Sequence, residues 1–196
     1  MRKQGLIFII SGPSGSGKSS LLECLLNNSG LRRNLAKSIS FTTRPKRSGE
    51  QDARDYFFIS ERQFRQKRAA KKILEWTKYL GYYYATPRDF VERQMQKGKD
   101  ILLCLDLKGA QKIKRLYPRN TVTVFVLPPS LETLKGRIQQ RCHKTKETEI
   151  KRRIRRGRQE LLAAHRYDYC VVNKDLAQAA RKLRGVILKE RASQRD

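Results

Sequence analysis

The sequence predicts an α/β fold in which helices cover both faces of a parallel β-sheet. Short apolar runs alternate with amphipathic helical patterns along most of the 196 residues, an alternation typical of β-α-β units. A glycine-rich loop directly follows the first apolar run, as in nucleotide-binding folds. The predicted core strands are Leu6–Ile10, Ser38–Thr43, Asp100–Asp106, Thr121–Leu127 and Tyr169–Val172.

The first strand leads into a phosphate-binding loop, Gly12-Pro13-Ser14-Gly15-Ser16-Gly17-Lys18-Ser19, of the pattern G-x-x-x-x-G-K-[ST]. Its glycines let backbone N–H groups surround a phosphate, Lys18 reaches the β- and γ-phosphates, and the Ser19 hydroxyl can hold Mg²⁺. Leu21, Leu22, Leu25 and Leu26 form the buried stripe of the helix that follows. The alternative, a glycine-rich turn that binds nothing, leaves this register of strand, loop and helix unexplained.

Further along, several helix boundaries are marked by their residues. Pro87 begins a helix that Gly98 ends, Ser130 starts another, and Asp175 caps the last. The β/α alternation is interrupted between Arg44 and Thr86, where short β-patterns surround a helix capped by Ser60 with Gln63 in the box position. With a Gly81 turn, this segment predicts a small mixed β-lobe inserted after the second core strand, a natural place for a second substrate.

Composition indicates a soluble cytoplasmic protein. No apolar stretch approaches ~18 residues and no signal peptide is visible. The four cysteines lack C-x-x-C spacing, so free thiols are expected rather than zinc or disulfides. The net charge of +27 attracts polyanions. Six basic residues lie between Glu61 and Lys72 and nine between Arg141 and Arg158, although such runs are usually solvated helix faces.

Over nearly its whole length the chain resembles the guanylate kinase family of P-loop nucleoside monophosphate kinases. The motifs that carry the resemblance are the phosphate loop Gly12–Ser19, the stretch Ser40–Glu50 with Asp55-Tyr56, the pair Glu75-Trp76, and Tyr83-Tyr84-Ala85-Thr86. Asp106 with Gly109, Arg137, Arg141, Arg153 and Tyr167-Asp168-Tyr169 follow in the family's order. The resemblance implies a cytoplasmic enzyme that converts ATP and GMP, or dGMP, to ADP and GDP, or dGDP, using Mg²⁺.

It also implies one domain, 1–196, with three parts. The core comprises 1–37, 88–130 and 157–196, the GMP-binding lobe is 38–87, and the helical lid is 131–156. No membrane is implied, and the oligomeric state, monomer or homo-oligomer, stays open.

Phosphoryl transfer depends on aligning two phosphates and neutralising their charge. Arg44 and Arg47 can grip the acceptor phosphate with Tyr56, and Tyr84 contacts the same phosphate. Glu75 can accept hydrogen bonds from guanine N1–H and the 2-amino group while Thr86 donates to O6, an edge that adenine reverses. The GMP-binding residues expected from the match are Ser40, Arg44, Arg47, Glu50, Tyr56, Glu75, Tyr84, Thr86 and Asp106.

The lid is expected to bring further cations over the transferring group. Arg137 and Arg141 lie four residues apart on one helix face, and Arg153 comes from the next helix. Counting back from Tyr167 favours Arg153 over Arg152, while Arg155, Arg156 and Arg158 are interpreted as solvated. The catalytic residues expected are Lys18, Arg44, Arg137, Arg141 and Arg153, with Ser19 and Asp106, the latter through water, at the metal.

Departures from the family pattern lie beside this site. Cys104 stands where the family usually has a carboxylate, and Lys108 where it has a glutamine. These changes predict weaker metal binding rather than lost activity. The alternative is that Cys104 is only a small apolar side chain buried in the core. Ala85 stands where glycine is common.

Three other functional classes fit the sequence less well. A ribose-bisphosphate kinase would have no use for Glu75 and Thr86 as base readers. A guanylate-kinase-like binding module would not need Lys18, Ser19, Arg44 and Arg137. Nucleic-acid binding lacks a base-reading or stacking motif, so any polyanion binding is expected to be non-specific.

Overall fold

A computed structural model describes residues 4–141 and 147–194, apart from the side chains of Arg141 and Glu149. Its core is a five-stranded parallel sheet in the order β2-β7-β1-β8-β9. These strands are β1 Ile7–Ser11, β2 Leu35–Lys37, β7 Asp100–Cys104, β8 Thr121–Leu127 and β9 Tyr169–Val172. All residues of β1 are buried, as expected for a strand covered on both faces.

Helices pack on both faces of this sheet and give the molecule two apolar clusters. On one face, α1 Lys18–Leu26, α2 Ser29–Arg32 and α8 Leu176–Ser193 bury leucines and Ile187 against Phe8 and Ile10. On the other, α4 Arg88–Gln96 and α5 Leu107–Leu116 cover Ile7 and Ile9. The predicted α/β class with a central parallel sheet is therefore confirmed.

A second, four-stranded sheet has the order β4-β3-β6-β5. It contains β3 Phe41–Thr42, β4 Phe57–Phe58, β5 Ile73–Tyr79 and β6 Tyr82–Pro87, and α3 Glu61–Ala69 covers it. The α3 residue Phe64 stacks on Tyr83 with ring centroids 4.4 Å apart. Ser60 and Gln63 form the predicted capping box, and the β5–β6 hairpin turns through Leu80 and Gly81, both at positive φ.

Two further helices, α6 Leu131–Arg141 and α7 Glu147–Leu161, pack against each other and against the phosphate loop. A Cβ at Gly157 of α7 would lie 3.2 Å from Leu134 Cδ2 and 3.4 Å from Pro13 Cβ. Glycine at this position therefore permits a close approach of α7 to both neighbours. A 3-10 turn, Ala164–Arg166, connects α7 to β9.

The predicted first strand, Leu6–Ile10, is observed one residue later, and two other predicted strands have boundaries that are wrong by two residues or more. The chain changes sheets within the predicted strand Ser38–Thr43: β2 ends at Lys37 in the core sheet, and β3 begins at Phe41 in the second sheet. The last core contact is the bond from Ser38 N to Leu102 O, 3.1 Å long. The predicted strand Asp100–Asp106 stops at Cys104, because Asp106 caps α5 by accepting from Gly109 N at 2.9 Å.

The predicted helix starts and stops lie within two residues of the observed ones. Pro87 closes β6 and is the N-cap of α4, whose end is followed by Gly98 at φ 72°. Asp175 caps α8 by accepting from Gln178 N. In the ranges 4–141 and 147–194, no helix combines the length and apolar character needed to cross a bilayer.

Candidate active site

The phosphate loop lies at the carboxyl end of β1, between this central strand and α1. Gly12, Gly15 and Gly17 all have positive φ. A Cβ at Gly12 would lie 2.4 Å from Val126 O, and one at Gly17 would lie 2.1 Å from Asn173 Nδ2. Any larger residue at either position would collide with a neighbouring strand or side chain, so the motif's glycines are required by packing as well as by backbone conformation.

Lys18 and Asn173 hold the shape of this loop. The Lys18 ammonium donates to Gly12 O at 2.6 Å and to Pro13 O at 2.9 Å. Buried Asn173 donates from Nδ2 to Ser16 O at 2.8 Å, and its backbone N–H bonds Leu127 O. The loop is thus tied to the ends of β8 and β9. Ser19 is exposed in the first turn of α1, where a hydroxyl can reach a phosphate-bound cation.

Arg44 is the centre of a second cationic site, on the second sheet. It is only 8% exposed, and its Nη2 atom lies 2.7 Å from Glu50 Oε1. The guanidinium also lies over the rings of Tyr56 and Phe58, at 5.5 and 5.9 Å from their centroids. Glu50 therefore contacts Arg44 directly and orients it.

The groups around Arg44 have perturbed ionisation. Burial alone would raise the pKa of Glu50, but hydrogen bonds from Arg44 and from Arg47 N outweigh it and lower that pKa. Burial alone would lower the pKa of Arg44. Its hydrogen bonds and charge interactions with Glu50 and Tyr84 outweigh this effect, so the pKa is raised overall. Burial raises the pKa of Tyr56 to about 12. The Tyr56 hydroxyl is thus a neutral donor beside a permanent cation, a composition suited to a phosphate dianion.

Glu75 and Thr86 form a buried polar pair on neighbouring strands of the second sheet. Thr86 Oγ1 donates to Glu75 Oε1 at 2.5 Å, and the residues are 2% and 0% exposed. Burial raises the pKa of Glu75 to about 7; the negative charge of Asp106 adds to the rise, while Thr86 and Lys112 oppose it. A carboxyl group this deep carries a desolvation cost that a ligand with paired N–H donors offsets.

The N-terminus of α5 closes one side of the Glu75 pocket. A Cβ at Gly109 would lie 2.8 Å from Glu75 Oε2, so glycine here makes room for the carboxylate. Asp106 accepts from Gly109 N at 2.9 Å and from Thr77 Oγ1 at 2.9 Å. Asp106 therefore both caps α5 and fixes the second sheet against the core.

Helices α6 and α7 bring arginines over the loop and the second sheet. Arg137 Nη2 lies 3.4 Å from Asn173 O. Arg153 is 7% exposed, whereas Arg152 is exposed, which favours Arg153 as the inward-facing member of that pair. Burial raises the pKa of Tyr79, and Arg153 and Arg156 oppose the rise. The side chain of Arg141 lies outside the described part of the chain.

Cys104 lies near both cationic sites, close enough to interact electrostatically with Lys18 of the phosphate loop and with Tyr56. The side chain is exposed at the end of β7, which corrects its alternative interpretation as a buried filler. Surrounding protein raises the pKa of its thiol, while the charges of Lys18 and Lys37 oppose this. The thiol also interacts electrostatically with Tyr56. The phosphate loop and the Arg44 site therefore face one cleft. Cys24 and Cys170 are free thiols as well, and Cys142 lies outside the described residues.

A model of the guanylate kinase family matches residues 4–190. A guanylate kinase of Caldanaerobacter subterraneus subsp. tengcongensis is 40% identical over 97% of this chain and 90% of its own length. The guanylate kinase of Rickettsia prowazekii is 41% identical over 97% of this chain and 94% of its own length. The crystal structure of guanylate kinase from Anaplasma phagocytophilum superposes with a TM-score of 0.78 at 30% identity, over 96% of this chain and 87% of that one.

The chain belongs to the guanylate kinase family. The family resemblance predicted from the motifs is thereby confirmed. The structure brings most of the sequence-predicted residues to one cleft: the phosphate loop and Asp106 on the core, Arg44, Tyr56, Glu75 and Thr86 on the second sheet. Arg47 lies at the exposed rim, where its backbone N–H bonds Glu50 Oε2 at 2.8 Å, and Ser40 is half-buried next to β3.

Three groups in this guanylate kinase fold have roles that the sequence did not predict. Thr77 positions Asp106, and Asn173 fastens the phosphate loop. Arg156, interpreted from sequence as solvated, lies 3.9 Å from Asp106 Oδ2 and 4.2 Å from the centre of the Tyr79 ring. Its position three residues after Arg153, on the same face of α7, was the signal available in the sequence.

Proposed function

We propose that this chain is a guanylate kinase that transfers the γ-phosphoryl group of ATP to GMP, or to dGMP, and releases ADP and GDP or dGDP. The main support for this is the buried Glu75–Thr86 pair on the second sheet, whose strand β3 leads directly into the Arg44 site. Together with the phosphate loop, this combination supplies one site for a triphosphate and another for a guanine nucleotide's base and phosphate.

The base is selected by the hydrogen bonds that the pair leaves open. Ionised Glu75 accepts from guanine N1–H and the 2-amino group, and the Thr86 hydroxyl donates to O6. Adenine presents a lone pair where guanine has N1–H, so AMP leaves a buried carboxylate without its donor. Loss of one such buried partner discriminates by about 10⁴-fold in sites built for it.

The phosphates are aligned by groups from three parts of the fold, which we assign as core 1–37, 88–130 and 157–196, lobe 38–87 and lid 131–156. Arg44 with Tyr56 and Tyr84 hold the acceptor phosphate, Arg47 closes its outer side, and Lys18 with the loop amides holds the donor. Arg137, Arg141 and Arg153 neutralise the charge that develops on the transferring group. Ser40 and Glu50 support the acceptor site, Glu50 by orienting Arg44.

Mg²⁺ fits this site as a metal bound mainly by nucleotide phosphates. Within 4–141 and 147–194, no three His, Cys, Asp or Glu residues cluster as a metal cage, and the exposed Ser19 hydroxyl follows Lys18 directly. Mg²⁺ commonly takes one or two protein ligands besides phosphate oxygens and water. Bound there, it would shield the β- and γ-phosphate charges. We assign Ser19 as a ligand and Asp106 as a contact through water, and we place the reaction in the cytoplasm.

The direct test is ADP formation from ATP and GMP, with Lys18→Met as the informative variant. Turnover should fall by about 10²-fold or more while GMP affinity stays within about twofold, because Lys18 acts on the donor phosphates. Lys182→Met, at an exposed position of α8, is the matched control and should retain full turnover. Equal activity in both variants would refute the phosphate-loop assignment; GMP binding without any turnover in the wild type would favour the binding-module alternative.

Association with polyanions is expected to be non-specific. Trp76, which is 37% exposed, lies beside the basic helix α3, where it contacts Phe64. The Arg68 guanidinium already lies 5.1 Å from the Trp76 ring centre, so the protein's own cation covers the aromatic face that a base would need for stacking.

A further inference from the structure

Arg156 makes contacts that a solvated helix residue does not make. Its guanidinium carbon lies 4.2 Å from the centre of the Tyr79 ring. Its Nη2 atom lies 3.9 Å from Asp106 Oδ2, and its Nε atom donates to Glu160 Oε1 at 3.2 Å. The side chain retains 36% exposure and Asp106 21%, so the cluster lies at the edge of the cleft and is partly shielded from solvent.

These contacts join three separately built parts of the molecule. Arg156 is the last residue of the lid and lies on α7, which packs with α6 over the phosphate loop. Tyr79 is the last residue of β5, on the sheet that carries Glu75 and Arg44. Asp106 is the cap of α5 on the core, and its Oδ2 atom also accepts from Thr77 of β5. One guanidinium therefore contacts both the sheet and the core from the helix that covers them.

We infer that Arg156 is a clamp between the helical lid and the acceptor lobe, so that closure of one favours closure of the other. The inference rests on the proposed function, in which GMP binds the lobe and ATP binds beneath the lid. A group that makes its contacts only when both parts are closed stabilises the doubly closed arrangement, and two ligands that each favour closure then strengthen one another's binding. Arg156 is a positioning residue in this account: it acts through Tyr79 and Asp106.

The other interpretation of the same geometry is local. Arg156 and Glu160 are four residues apart, and such pairs on exposed helix faces contribute little. In that case Arg156 would support α7 alone, and its removal would leave the two nucleotides' mutual influence unchanged. The interpretations differ in one measurable quantity: the factor by which a non-hydrolysable ATP analogue changes the GMP dissociation constant.

Calorimetric titration of GMP with and without that analogue measures this factor. Arg156→Ala should reduce it by about two- to fivefold, the range that corresponds to one partly exposed cation–π contact. Arg156→Lys keeps the charge but loses the planar stack, so it should restore only part of the factor. Arg155→Ala, at the exposed neighbouring position on α7, is the control and should leave it unchanged.

Substitutions of Tyr79 provide a second test of the clamp. Tyr79→Phe keeps the aromatic face and should behave as the wild type, whereas Tyr79→Leu should lower the factor as Arg156→Ala does. Combining Tyr79→Leu with Arg156→Ala should add little further loss if the two side chains act as one contact. Equal melting temperatures across the set exclude a general loss of folding as the cause.

Outcomes that overturn the clamp are separate from those that overturn the proposed function. If the wild type turns over GMP and the factor is the same in Arg156→Ala, or falls equally in Arg155→Ala, the clamp is wrong and the guanylate kinase assignment stands. If the wild type neither binds nor phosphorylates GMP, both are wrong.

Discussion

Protonation of Glu75 should control GMP capture near neutral pH. Burial disfavours the charged carboxylate and raises the pKa of Glu75 to about 7, so this group takes up a proton at a higher pH than an exposed glutamate. The ionised fraction then falls from about nine-tenths at pH 8 to about one-tenth at pH 6. A protonated carboxyl cannot accept from both guanine donors. We therefore expect kcat/KM for GMP to fall about tenfold between pH 8 and pH 6, beyond any change due to the substrate's own titration.

The assay is the initial rate of ADP formation at saturating ATP and Mg²⁺, with GMP varied at each pH. GMP itself titrates in this range, since the second pKa of a phosphate monoester is about 6. Glu75→Gln provides the correction, because it keeps the substrate's titration and removes that of the enzyme. The ratio of wild type to Glu75→Gln should thus carry the tenfold change. The kcat of the wild type should change less, because bound guanine stabilises the carboxylate.

A second variant tests the direction of the effect. The hydrogen bond from Thr86 opposes the rise in the Glu75 pKa, so Thr86→Val should move the kcat/KM profile to higher pH as well as weaken GMP binding. Parallel pH profiles in wild type and Glu75→Gln, or a Thr86→Val profile displaced to lower pH, would refute the assignment of Glu75 as the titrating base reader.

Three further predictions follow from other parts of the cleft. Gly109→Ala places a Cβ 2.8 Å from Glu75 Oε2 and should raise the KM for GMP about three- to tenfold while the KM for ATP stays nearly constant. The control Gly185→Ala, whose new Cβ has no atom within 4 Å, should change neither KM. Equal effects of the two substitutions would mean that Gly109 acts only through helix stability. Cys104→Asp should lower the Mg²⁺ concentration for half-maximal rate relative to Cys104→Ser, because it adds a negative charge beside the metal. An unchanged Mg²⁺ dependence would mean that residue 104 does not influence metal binding. Raising the salt concentration from 50 to 200 mM should weaken the binding of duplex or single-stranded nucleic acid by about 10³-fold or more for a protein with 6–10 phosphate contacts. The rate of GMP turnover should change by only severalfold over the same range. Salt-resistant, sequence-selective binding would contradict non-specific association.

The sequence predicted the parts of the site whose geometry is local. The phosphate loop is one contiguous stretch, and its strand, glycines and helix need only neighbouring residues to take their conformation. The capping box at Ser60 and the caps at Asp106 and Asp175 are similarly short-range, although the sequence had placed Asp106 within a strand. Glu75 and Thr86 were paired only through the family's motif, since their pairing depends on the register of β5 against β6.

What the sequence did not reveal depends on contacts between distant elements. The change of sheet after Lys37 involves β2, which has only three residues and is defined by its pairing with β7. Arg156 lies within a dense basic run, where the average residue is solvated, and only the approach of α7 to Tyr79 and Asp106 distinguishes it from Arg155. Asn173 carries no catalytic chemistry, so its hold on Ser16 O becomes visible only when β9 is seen beside the loop.

In the proposed function, this cleft selects guanine through Glu75 and Thr86. The most direct measurement compares kcat/KM for GMP, AMP, CMP and UMP at constant ATP and Mg²⁺. We expect the value for GMP to exceed that for AMP by about 10³-fold or more, and Glu75→Gln to remove most of this difference by lowering the value for GMP. Comparable turnover of AMP and GMP, or a preference that survives in Glu75→Gln, would contradict it.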